Sequence, residues 1–322
     1  SSLPPATRAE TGRRQATEAP LGSMTAAPRE GGAAGAGLAL AAAGSIAFSG
    51  KAIIVKLAYR HGVDAVTLIM YRMLFALPLF IGLAWWAGRG KAPLTRRDLA
   101  IVTGLGFCGY YLASFLDFEG LQYTSASLER LILYLNPTLV LLFGVVLHGQ
   151  RPKRSQLLAL AVSYAGVLLV FGHELSFAGR NTAWGTLLVF ASAVSYAVYL
   201  VYSGREVARL GALRLTGWAT AAACVFCIAQ FLVLRPMSAA AVAPQVITLS
   251  LLNATLCTFA PVLMVMMAIE RVGATMTAQT GMIGPISTIA MGVLILGEPL
   301  NAWIFAGTAL VLTGVWLLAK SR

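Results

Sequence analysis

The chain has 322 residues, 58% of them hydrophobic and only 11% charged, with a formal charge of +12. A soluble domain carries about a quarter charged residues, so a chain this apolar cannot cover itself with polar surface and reads as a membrane protein. The positive charge does not indicate nucleic acid, because the basic residues sit mostly in short loops between apolar runs, where they set membrane topology.

Residues 1–35 are rich in Pro, Ala, Gly and Arg and hold no apolar run. A cleavable signal peptide needs an apolar core of roughly 7–15 residues, so a disordered tail is expected instead. Met24 follows Pro-Leu-Gly-Ser, and residues 1–23 are expected to be upstream or added sequence. Ten apolar runs follow, at 36–58, 65–86, 98–117, 124–147, 155–172, 183–203, 215–234, 246–268, 273–296 and 301–319. Each approximates the length that crosses a bilayer core as a helix. The predicted fold is therefore an all-α integral membrane protein with ten spans, five in 36–173 and five in 182–319.

With the N-terminus inside, the inner segments hold 17 Lys and Arg and the outer loops 3. That asymmetry predicts both termini in the cytoplasm. Sliding the sequence by 148 residues places Pro137 on Pro285, Gly144 on Gly292, Gly149 on Gly297 and Gly166-Val167 on Gly314-Val315. The chain thus reads as two repeats. Five spans is an odd number, so the second repeat enters the membrane inverted. Inverted repeats mark many secondary transporters, which bind substrate between the halves and alternate access by rocking.

The fourth span begins Ser125-Ala-Ser-Leu-Glu-Arg-Leu-Ile-Leu-Tyr-Leu-Asn-Pro-Thr138. At helical spacing Ser125, Glu129 and Asn136 fall within about 40° of one another. Arg130, Tyr134, Ser127, Pro137 and Thr138 extend that arc, while Leu128, Leu131, Ile132, Leu135 and Leu139 form an aliphatic face for lipid or packing. The polar face is expected to line a solute pathway. Glu129 and Arg130 point about 100° apart, so each needs a partner elsewhere. Lys51 and Lys56 in the first span and Arg72 in the second are the candidates. An ionisable group in a membrane helix is costly and is a functional candidate by default. Four cations (Lys51, Lys56, Arg72, Arg130) face one clear carboxylate, with Asp117 and Glu119 at the end of the third span to absorb part of the excess. The remainder would attract a substrate carboxylate or phosphate. The plainer alternative has Lys56 and Arg130 snorkelling to the interface and Glu129 fixing helix register.

The second repeat carries no matching charges; it offers Ser195, Tyr196, Tyr199, Asn253, Thr255, Thr277, Gln279 and Thr280. Charge from one half with amides, hydroxyls and rings from the other suits a small zwitterion or organic acid. Pro137 and Pro285 each remove a backbone hydrogen bond and are expected to kink their helices. Gly104-Leu-Gly-Phe-Cys-Gly109 matches a dinucleotide fingerprint only in letters, since it lies within a span; helix packing explains it better. Cys224-Val-Phe-Cys227 has redox spacing without a soluble context. No metal site, cofactor or catalytic triad is expected, so the chain reads as a carrier and not an enzyme.

Two segments carry a family likeness. Residues 110–173 include Thr-Ser-Ala-Ser, Pro137 and a Gly-containing last helix. Residues 268–319 repeat the pattern with Val-Gly-Ala-Thr, Pro285 and the turn Gly-Glu-Pro-Leu. Both resemble the EamA repeat of the drug/metabolite transporter superfamily. The resemblance implies two inverted five-helix repeats in a bacterial inner membrane, around a cavity lined by the first, third, fourth, sixth, eighth and ninth helices. It implies carriage of amino acids, other metabolites or drugs, often outward, by proton coupling or exchange with a counter-substrate. On those helices the candidate residues are Lys51, Glu129, Arg130, Tyr134, Tyr196, Tyr199, Asn253 and Gln279, with Arg72 beside them. A multidrug or cation exporter using Glu129, or a channel, are the alternative functions. The expected partners are a small-molecule substrate, protons or a counter-substrate, and the bilayer, with the chain a monomer or weak homodimer. The first-repeat turn His-Gly-Gln-Arg-Pro departs from the pattern, with Gln150 where the second repeat has Glu298.

Overall fold

The computed structural model describes residues 31–149, 152–178 and 180–320. Most of the expected tail, residues 1–30, and Gln150 of the first-repeat turn lie outside the described residues. Among the described residues the regular structure is entirely helical. Ten helices among the described residues are long and apolar enough to cross a membrane. They are α1 (Ala34–Tyr59), α2 (Ala65–Gly88), α3 (Arg96–Leu121), α4 (Ala126–Leu147) and α5 (Arg154–Ser176). The second set is α6 (Asn181–Leu210), α7 (Ala212–Leu234), α8 (Pro244–Gly273), α9 (Met276–Leu296) and α10 (Ala302–Lys320). Helical backbone already begins at Gly31, inside the segment expected to precede the fold.

Several helices outrun their apolar runs because polar residues extend or cap them. α3 starts at Arg96, where Thr95 and Asp98 form a reciprocal capping box. α6 continues past residue 203 through Arg205, Glu206 and Arg209, whose charges end the apolar run but not the helix.

The helices pair across the two halves. α2 packs along α7, α5 along α10, α1 along α8, α3 along α6, and α4 meets α9. Exchanging first and second halves maps this set of pairs onto itself. Small residues allow the contacts: a Cβ on Gly166 would lie 2.6 Å from the Gly307 carbonyl, and one on Gly307 would lie 2.7 Å from that of Gly166. The Gly104–Gly109 motif serves the same end, with Gly109 under the Tyr199 ring.

Irregularities repeat with the same spacing. A π-helical bulge occupies Phe107–Leu112 in α3, and another occupies Thr255–Phe259 in α8, starting 148 residues later. Bulges free backbone carbonyls, which side chains then satisfy. Ser195 donates to the Cys108 carbonyl at 2.7 Å, and Thr258 to that of Asn253 at 2.8 Å.

The two prolines interrupt α4 and α9. α4 is two helices, Ala126–Leu133 and Asn136–His148. Pro137 has no N–H for the Leu133 carbonyl, and the Asn136 side chain supplies one instead at 2.7 Å. In α9, Pro285 leaves the Gly281 carbonyl, which accepts from Ser45 of α1 at 2.8 Å and Tyr134 of α4 at 2.5 Å. One kink is thus satisfied by a side chain of its own helix, the other by the Gly284 N–H at 3.0 Å together with side chains from two helices of the opposite repeat.

Candidate functional site

Beside the α4 kink, a cavity of about 240 Å³ lies between the halves. Its lining includes Lys51, Arg72, Asp117, Arg130, Tyr134 and Tyr196. The charged groups come from the first repeat. Lys51 Nζ lies 2.5 Å from Asp117 Oδ2 and 3.0 Å from Glu129 Oε1. Glu129 is 0% exposed, and the angle of approach leaves its carboxylate oxygens short of a formed hydrogen bond. Two buried carboxylates therefore share one ammonium.

The two guanidiniums are held differently. Arg72 Nε donates to Thr258 Oγ1 at 3.2 Å, and its Cζ stands 5.1 Å from the centre of the Phe118 ring. Thr258 is in turn fixed by its bond to the carbonyl opened by the α8 bulge. Arg130 Nη2 donates to Ser49 Oγ at 3.2 Å, and its Cζ lies 5.3 Å from the Tyr134 ring centre. Arg72 Nη1 and Arg130 Nε are buried without a hydrogen-bond partner among the described residues. Among the described residues, neither guanidinium has a carboxylate within 4.0 Å. Three cations against two carboxylates leave a formal surplus of one positive charge around the cavity.

Of the remaining candidates, Tyr196 lines the cavity, and Tyr199 stacks behind it at 5.5 Å with its hydroxyl 3.1 Å from that of Tyr110. Asn253 is buried and acts through its backbone carbonyl. Gln279 is exposed on α9, outside the cavity lining. Thr277 holds the inner face there, bonded to the Gly273 carbonyl, and two residues on the helix has turned about 200°. The aliphatic face of α4 packs: Leu128, Leu131, Ile132, Leu135 and Leu139 are all buried in a cluster with α5, α6 and α10 residues.

Lys56 is part of a different construction. It lines a larger cavity of about 970 Å³ at the end of the bundle opposite Gly31 and Lys320, with Tyr59, Arg60, His173, Glu174 and Glu298. Its ammonium donates to the carbonyls of Leu121 and Thr124, at the C-terminus of α3. Glu298 accepts from Ala126 N at 2.7 Å and from Ser127 Oγ at 2.9 Å, at the N-terminus of α4. A cation on exposed carbonyls and an anion on exposed N–H groups both complement the helix ends they cap.

From sequence Asp117 is only a charge absorber, Ser45 and Ser49 share a polar stripe of the first span with Lys56, and Thr258 carries no signal. Tyr110, Ser114 and Asp117 follow an i, i+4, i+7 stripe that points to one face of α3. Thr258 had no such signal, since its placement depends on the bulge.

The EamA-like transporter family matches residues 35–172 and again 183–320, two stretches displaced by 148 residues. The "Uncharacterized transporter YcbK" of Bacillus subtilis strain 168 is 31% identical over 277 residues, covering 83% of this chain and 88% of its own. An "Uncharacterized transporter" of Archaeoglobus fulgidus is 24% identical over 276 residues, covering 85% and 94% respectively. A WAT1-related protein of Arabidopsis thaliana is 30% identical over 133 residues, 41% of this chain and 37% of its own. A solved structure superposes with a TM-score of 0.60 at 18% identity, covering 88% of this chain and 96% of that one. At that identity the likeness carries the fold alone.

Proposed function

The chain belongs to the EamA-like transporter family, and from that premise we propose that it carries a small carboxylate-bearing metabolite, an amino acid or related organic anion, by alternating access. The proposed setting is a bacterial inner membrane with both termini cytoplasmic, and the proposed direction is export. The observation that carries the substrate class is the pair of guanidiniums beside the cavity, buried Arg72 and half-buried Arg130, each with a buried N–H that has no partner and no carboxylate within 4.0 Å among the described residues. A guanidinium in a dry site binds a carboxylate through strong charge-assisted hydrogen bonds. An incoming carboxylate would also cancel the surplus charge.

Two features of the central site weigh against a drug-sized cation there, whereas the larger cavity of about 970 Å³, lined by Glu174 and Glu298, has room for one. Drug-sized ligands occupy pockets of roughly 300–1,000 Å³, and the central cavity is about 240 Å³. Glu129, the carboxylate a cation would need, already faces Lys51 at 3.0 Å.

The test is a thermal-shift panel on purified protein, followed by counterflow in liposomes. A ligand at about 100 times its dissociation constant stabilises by about 2.7 kcal/mol. Carboxylates are expected to raise the melting temperature of the wild type but not of Arg72→Gln or Arg130→Gln. Stabilisation by lipophilic cations alone would overturn the proposal. Flux that never saturates would make the protein a channel.

A further inference from the structure

A cluster of cations lies at the end of the bundle that carries Gly31 and Lys320. The α2–α3 and α6–α7 turns meet there. Residues 89–98 and 205–214 hold seven cations and two carboxylates, a net of five positive charges. Both carboxylates are committed: Asp98 lies 2.5 Å and Glu206 2.6 Å from Arg209. Arg89, Lys91 and Arg214 have no carboxylate within 4.0 Å among the described residues.

Arg214 is the anomaly. It is only 8% exposed and sits in the first turn of α7. A helix N-terminus is electropositive, so a cation there is unfavourable unless an anion joins it. Its Nη2 donates to the Ala92 carbonyl at 2.8 Å, while its Nε is buried with no partner among the described residues. The N-cap of α7 is Gly211, which offers no side chain to the first N–H groups. Lys91 reaches over from the other turn, its Nζ 3.1 Å from where a Gly211 Cβ would stand. An uncapped helix start, a buried guanidinium with a donor unpaired among the described residues and an ammonium therefore share one pair of facing turns.

We propose that this place binds the phosphodiester of an anionic phospholipid. The chemistry alone would suit any phosphate. The surroundings select a lipid, because the site lies at the level where membrane helices end. Trp85 and Trp86, 62% and 58% exposed, flank it on α2 as interfacial aromatics do. Arg89 stacks its guanidinium 3.9 Å from the centre of the Trp85 ring. The inference does not depend on the transport reading.

The experiment is native mass spectrometry of delipidated protein given equal amounts of phosphatidylglycerol and phosphatidylethanolamine. Phosphatidylglycerol should be retained preferentially, and each cation removed should cost about fivefold in retention. Arg214→Gln is the direct variant. Lys91→Gln and Arg89→Gln change exposed side chains and test the site if Arg214→Gln does not fold. Equal retention of the two lipids, or full retention by Lys91→Gln and Arg89→Gln, would overturn the proposal. So would displacement of the lipid by an equal concentration of inorganic phosphate, which would make this a soluble-phosphate site.

Discussion

Replacing Lys51 with methionine keeps the length of the side chain but removes the one cation within 4.0 Å of both Asp117 and Glu129 among the described residues. The two contacts, at 2.5 and 3.0 Å, correspond to roughly 6 kcal/mol each of bare attraction at an effective dielectric of about 20. Most of that offsets the desolvation of three buried ions, several kcal/mol apiece. The net cost of removing one partner is therefore much smaller than the Coulomb sum, about 3–5 kcal/mol, and comes from leaving buried carboxylates uncompensated. Melting in detergent, followed by size-exclusion fluorescence, should fall by on the order of 10 °C. The triple variant Lys51→Met, Asp117→Asn, Glu129→Gln removes every charge and should recover most of the loss, since a neutral buried set is no worse than a paired one. The two results together measure coupling and not mere truncation. A single variant that melts within about 2 °C of wild type would refute the buried network, and so would a triple variant no better than the single.

Three further outcomes follow from the backbone. Asn136→Leu strands the Leu133 carbonyl that Pro137 cannot serve and should cost about 1–3 kcal/mol; adding Pro137→Ala restores an N–H and should return the stability, as urea or thermal melts would register. Glu298→Ala removes the acceptors at the start of α4 and should cost about 0.5–2 kcal/mol, with Glu298→Gln milder; equal melting of all three proteins would show the cap to be idle. Asp64 caps α2 outside the membrane-spanning segments. Its burial favours the neutral acid, but hydrogen bonds from Thr67 and the charge of Arg235 outweigh this and hold its carboxyl below the usual range. A depressed carboxylate stabilises above its unfolded value near 3.9 and loses that contribution as pH falls through the folded value. Asp64→Ala should thus lower the melting point at neutral pH, and the gap should narrow below about pH 4; a gap constant down to about pH 3 would sink this account.

What could be read from sequence follows from what the bilayer forbids. An ionisable residue persists in a membrane helix only with a partner or a purpose, which is why Glu129 had to find a cation and Lys51 was among three candidates. The repeat was legible for a related reason. Pro137 and Pro285, Gly149 and Gly297 each impose a backbone state that few residues substitute, so the offset survives where ordinary side chains have diverged. The positive φ of 61° at Gly149 and 73° at Gly297 is such a state.

Neutral polar residues obey no such constraint, and there the reading thinned out. A helical wheel assumes one uninterrupted register. α8 and α9 break it at the Thr255–Phe259 bulge, at Gly273 with φ of 82°, and again near Gly281. Downstream of such breaks, Gln279 faces out, whereas Thr258 is turned in to hold Arg72. Asn136 shares a face with Glu129 on the wheel and does line the central cavity, while its amide N–H also serves a carbonyl orphaned by the next residue. Tyr134 does the same for the kink of the opposite repeat, through the Gly281 carbonyl. Arg130 therefore leans on a ring that is itself tied to α9. Movement of α4 away from α9 would break the Tyr134–Gly281 bond and shift the ring beside Arg130, while Ser45 and the Gly284 N–H still serve that carbonyl. The kinks and the charged pocket are in this sense one device, and its neutral members become visible only when backbone carbonyls are counted as strictly as charges.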